Sequence, residues 1–152
     1  MEIKTFEDLI EWTRDLHAHL AQCMHHCASK NEETKARALL DFLASHEATL
    51  EKTVSEFERQ GDSKALKTWI YDFLSHQPIK THQTCDAPYA ELDFESICRE
   101  IVSFHQQVIE LYRNLKDRAE IPETHELVDS LLALEEHEAM RLSREMGRMG
   151  DV

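Results

Sequence analysis

The chain has 152 residues with 30 Asp and Glu against 17 Lys and Arg, a formal charge of −13 that argues against docking on nucleic acid or an anionic membrane. Three glycines, three prolines and no β-branched runs of strand type leave little room for a sheet. No apolar run approaches membrane-spanning length and the start carries no signal-peptide pattern, so a cytoplasmic protein is expected, with Cys23, Cys27, Cys85 and Cys98 as reduced thiols.

The first helix is expected over about 6–29. Thr5 can cap the free amide of Asp8, and Leu9, Trp12, Leu16, Leu20, Cys23 and Cys27 form one stripe at steps of three and four. Ser29-Lys30-Asn31 reads as a tight turn, with Asn31 the expected cap of a second helix over about 32–60. Leu39, Leu43, His46, Leu50, Thr53 and Phe57 line its seam, and Gly61 is expected to end it in the left-handed conformation. Residues 62–92 read as a long crossover with a short amphipathic helix near Ser63–Leu74, broken by Pro78 and Pro88. A third helix over about 94–119 starts after the N-cap candidate Asp93 and carries Ile97, Ile101, Phe104, Val108, Leu111 and Leu115. Pro122 suits the first turn of a last helix over about 122–146, with Leu127, Leu131, Leu134 and Leu142 on its stripe and Gly147 as its stop. The expectation is a single all-α domain: a four-helix bundle of two short hairpins joined by the crossover.

Histidines recur across the two hairpins. His17 and His46 lie on the two arms of the first, His105 and His137 on those of the second. Leu43-Ala-Ser-His46-Glu47-Ala48 resembles Leu134-Glu-Glu-His137-Glu138-Ala139. At about 1.5 Å per residue, all four stand roughly 20 Å from their hairpin tips, so the four imidazoles share one height. His46 lies in the seam outright, whereas His17 and His105 follow the seam residues Leu16 and Phe104.

A long crossover and ligand-type residues at one level make the chain resemble the ferritin-like superfamily, in its rubrerythrin and bacterioferritin branches. The resemblance covers nearly the whole chain in topology. It implies a carboxylate on the first and third helices and Glu-x-x-His on the second and fourth, holding two iron or manganese ions. His46 and His137 match the histidines of the two motifs, Leu43 and Leu134 stand where the bridging glutamates belong, and His17 and His105 replace the single carboxylates. Leucine can neither neutralise nor hold hard cations, so the substitutions argue against a standard di-iron centre. Four neutral imidazoles, with Glu47 and Glu138 as further ligands or hydrogen-bond acceptors, suit a transition-metal ion: zinc, iron, copper, nickel or manganese. Glu11, Glu110 and Glu135 rank below these because their helical angles differ. The same resemblance implies a homodimer.

Competing readings follow from the same residues. Histidines in polar layers of bundles often serve only to organise the core, giving a non-enzymatic dimeric or regulatory bundle with a protein partner. A hemerythrin-like iron or oxygen binder would place a ligand four residues after a histidine, but Leu50 follows His46 and Arg141 follows His137. Cys23-Met-His25-His26-Cys27 could hold a soft metal, with two buried small residues as the simpler reading. His76, His82 and Cys85 decorate the crossover. No phosphate loop, nucleophile elbow or His-Glu-x-x-His motif is present.

Overall fold

A computed structural model describes residues 3–70 and 89–151. The described residues are helical apart from turns, short connections and one isolated antiparallel bridge between Thr5 and Trp69. Among the described residues the helices are α1 (Phe6–Ala28), α2 (Thr34–Gln60), α3 (Ser63–Leu66), α4 (Phe94–Arg118) and α5 (Pro122–Gly150). No helix among the described residues is long and apolar enough to cross a membrane.

The helix starts are set by local chemistry. Thr5 accepts the Asp8 amide while the Asp8 carboxylate accepts the Thr5 amide, a reciprocal capping box. Asp93 accepts the Ser96 amide at the start of α4, and Pro122 occupies the first turn of α5. Asn31 does not cap α2, whose N-cap is Glu33. It is buried between the hairpins: its carbonyl oxygen accepts the Glu33 amide, and its side-chain amide donates to the carbonyls of Tyr89 and Leu92.

Two helix ends depart from expectation. Gly61 closes α2 with φ −66 and ψ 146, an extended conformation rather than a left-handed one. Gly147 does not stop α5, which continues to Gly150 because exposed Gly147 keeps helical hydrogen bonding and Met146 remains buried. Among the described residues the expected crossover helix is present as α3, capped by Asp62; Thr68, Trp69 and Ile70 then run extended beside Lys4–Phe6. Residues 71–88, among them Tyr71, Phe73, Leu74, His76, Pro78, His82, Cys85 and Pro88, lie outside the described residues.

α1 packs along α2 and α4 along α5, each pair joined by a short turn. One hydrophobic core takes Leu9 and Leu20 from α1, Leu43 from α2, Ile97 from α4 and Leu131 from α5. Burying a side chain of this size contributes about 1.5–3 kcal/mol, so the shared core gives each hairpin reason to hold the other.

The two hairpins repeat at a constant shift of 88 positions. Phe6 and Phe94 open α1 and α4, Thr34 and Pro122 open α2 and α5, and the capping residues Thr5 and Asp93 keep the same offset. Burial follows the shift too: Leu9 and Ile97, Leu20 and Val108, Leu43 and Leu131, and Val54 and Leu142 are all buried pairs.

Candidate functional site: a buried histidine–glutamate ring

The shift of 88 also relates His17 to His105 and Glu47 to Glu135. These four side chains come one from each long helix, and each is at most 3 % exposed. They alternate as a ring. His17 Nδ1 lies 2.5 Å from Glu47 Oε2, and the other Glu47 oxygen lies 2.6 Å from His105 Nε2. His17 Nε2 lies 3.0 Å from Glu135 Oε1. The last edge, His105 Nδ1 to Glu135 Oε2, is open at 3.9 Å, and neither atom has a hydrogen-bond partner among the described residues.

Ring chemistry follows from this alternation. An ionised carboxylate only accepts hydrogen bonds, so His17, facing carboxylates through both nitrogens, donates twice and is an imidazolium. Burial by itself opposes that charge. Glu135 and Glu47 outweigh it and hold the His17 pKa up at about 10. For Glu47 burial opposes ionisation, but His105 and His17 keep its carboxyl far below the usual carboxylate range.

His46 and Glu138 stand beside the ring. The His46 ring centroid lies 6.2 Å from that of His105 and 6.1 Å from that of Phe42, and His46 Nδ1 is 3.8 Å from a Glu138 oxygen. His46 Nε2 is buried without a partner among the described residues. Burial, the largest influence, lowers the His46 pKa, opposed by Glu47 and assisted by His105.

The expected meeting of four imidazoles does not occur. His137 is exposed, and its place at the centre is taken by Glu135. The reason is register. Matching the two Leu-x-x-His-Glu-Ala segments implies a shift of 91, but the helix starts and buried positions correspond at 88, and three residues of helix turn a side chain by about 300°. At the structural shift His46 corresponds to Leu134 and Glu138 to Leu50. Glu135, ranked below the other candidates because its helical angle differs from those of the histidines, is the fourth member of the ring. The signal for it was present in the equal spacing of 30 from His17 to Glu47 and from His105 to Glu135. Of the other low-ranked carboxylates, Glu110 is exposed, and Glu11 joins Glu7 and Glu58 in an acidic group at the surface.

Among the described residues the Cys23–Cys27 segment forms no ligand cluster. Cys23 is disulfide-bonded, Cys27 is a buried free thiol, and His25 and His26 are exposed. Cys98 is also free. The expectation of four reduced thiols therefore fails at Cys23, and cysteine usage gives no support for a reducing compartment.

No protein-family model, curated protein or solved structure matches this chain.

Proposed function

We propose that the protein is a ferritin-like four-helix bundle, its hairpins joined by a crossover, that binds a transition-metal ion at the His17–Glu47–His105–Glu135 ring without forming a standard di-iron centre. The observation that carries this reading is the ring itself. Four ligand-type side chains, one per long helix, are buried together while His46 Nε2, His105 Nδ1 and Glu135 Oε2 retain unused capacity. Buried charges cost stability relative to apolar packing, so such a concentration needs a purpose beyond holding helices together.

The donor set fits a borderline ion such as zinc or ferrous iron, which accepts both imidazole nitrogen and carboxylate oxygen. Glu47 and Glu135 supply the inward carboxylates on the second and fourth long helices. Set against the ferritin-like pattern, imidazoles and carboxylates have exchanged helices, and Leu50 and Glu138 stand where the motif histidines would follow Glu47 and Glu135. A bound ion would supply Lewis acidity or redox capacity. The chain's own part is to surrender the protons that His17 shares with its carboxylates, because a ligating imidazole nitrogen must be bare. Glu47 and Glu135 touch opposite edges of the His17 ring, so that ring must also turn for one nitrogen to share an ion with both carboxylates.

Titration of the full chain, purified without chelators, with zinc and with ferrous iron under argon tests the proposal. Saturable binding with proton release is expected, abolished in Glu47→Gln/His105→Ala. No uptake of either ion, or uptake indifferent to that double substitution, would overturn it.

One observation favours a second reading, a non-enzymatic dimeric bundle with structural histidines. The ring already satisfies both nitrogens of His17 and both oxygens of Glu47 by hydrogen bonds. In that case metal does not bind, and replacing all four ring residues by leucine leaves self-association intact.

A further inference from the structure

The arms of the second hairpin pack less closely than those of the first, and a groove lies between them. Its cavity measures about 430 Å³, within the range of small-molecule sites. Val102 and Ile109 of α4 and Met140 and Leu142 of α5 line it, and His105 belongs to its wall. Val102 and Met140 are 43 % and 65 % exposed, two of the few large apolar side chains among the described residues left to solvent. The equivalent helices of the first hairpin, α1 and α2, pack more closely along their length.

The groove's charge is unlike that of the chain. Two guanidiniums, Arg113 and Arg144, and one carboxylate, Glu136, belong to its lining in a protein of formal charge −13. Arg113 is held loosely by Glu136 at 3.9 Å, an exposed pair of little energetic weight. Arg144 has no ion-pair partner among the described residues. An apolar slot with an unengaged cation at its margin fits a molecule with an alkyl body and one anionic head. A cationic amphiphile would leave Arg144 opposed by a like charge, and a short polar anion would leave Met140 and Val102 uncovered.

We infer that the groove between α4 and α5 binds a medium-chain aliphatic carboxylate, with the head on Arg144 and the chain along Val102, Ile109 and Met140 toward His105. This inference does not require the ring to hold a metal. The alkyl chain replaces water over exposed apolar surface, and the carboxylate gains a guanidinium partner suited to planar two-oxygen recognition.

Calorimetric titration of the metal-free full chain with decanoate, kept below its micellar concentration, tests it. One saturable site is expected, at least tenfold weaker for decanol and for decyltrimethylammonium. Arg144→Gln should weaken decanoate at least tenfold while leaving decanol within twofold, and Met140→Glu should abolish binding of both. Both residues are exposed, so circular dichroism of the variants should match that of the parent. In NMR, decanoate should shift the His105 ring resonances and leave those of His19 and His26 unmoved. No saturable site, equal affinity for the three decyl probes, or decanoate binding unchanged in both variants would overturn the inference.

Discussion

The two hairpins share their helix starts, their caps and their buried positions, yet they treat one histidine differently. In the first, His17 is bonded at both nitrogens, and α1 and α2 pack closely around it. In the second, His105 keeps one bond to Glu47, its other nitrogen faces Glu135 across 3.9 Å, and its helices part into a groove. A repeated backbone can thus carry a closed corner and an open corner of the same polar ring. The closed corner uses both nitrogens of its histidine, and the open one leaves His105 Nδ1 and Glu135 Oε2 without a hydrogen-bond partner among the described residues.

The sharpest way to break this comparison is to remove equivalent carboxylates. Glu47→Leu strips partners from both histidines and should destabilise the metal-free protein by about 3–5 kcal/mol, the range for breaking a buried ion pair. Glu135→Leu removes one bond and one open edge and should cost clearly less. Urea denaturation measures both, and equal losses would show that the 3.9 Å edge is energetically closed. Replacing all four ring residues by leucine should restore the folded state to parent stability or raise it by about 1–4 kcal/mol, since well-packed apolar groups often outdo buried ion pairs. A quadruple variant less stable than Glu47→Leu would mean that the ring contributes net stabilisation.

Titration offers a subtler probe of the closed corner. His17 has its pKa raised from 6.5 to about 10, so its contribution is complete below pH 6.5 and fades as pH rises toward 10. Glu47, with its pKa lowered, contributes above about pH 4.5 and loses that contribution on acidification. His46, also lowered, acts against stability below about pH 6.5 because burial resists its charge. Stability of the metal-free protein should therefore fall by about 2 kcal/mol between pH 6.5 and 8, at roughly 1.4 kcal/mol per unit for a single group. Thermal denaturation should lose this alkaline dependence in His17→Leu. The smallest effect should appear where the hairpins are most alike: Thr5→Ala and Asp93→Ala each remove an N-cap and should each cost about 1 kcal/mol.

Much of the fold was readable in the sequence because it rests on local rules. Apolar stripes at steps of three and four, Thr5 and Asp93 as caps and Pro122 in a first turn place the long helices to within a few residues. The ends were harder where a glycine could be tolerated in more than one state, as at Gly61 and Gly147. The site was half legible. His17, His105 and Glu47 were named, but the attractive likeness around His46 and His137 set the wrong register. Local similarity along one helix says little about which residue turns inward; that depends on helix starts, and Thr34 and Pro122 define a different shift. The disulfide at Cys23 was unreadable because pairing depends on proximity through the fold, not spacing.

Asn31 joins these two unequal halves in a way that bears on how the molecule comes apart. Its side chain simultaneously holds the turn of the first hairpin and two carbonyls at the entry to the second. Detaching one hairpin from the other would take the Asn31 side-chain amide from the carbonyls of Tyr89 and Leu92, at a cost of about 1–3 kcal/mol for each group left buried and unpaired. Partial opening is thereby penalised relative to complete opening, so slow amide exchange in α1 and α4 should report one common free energy. Asn31→Leu should split that value in two.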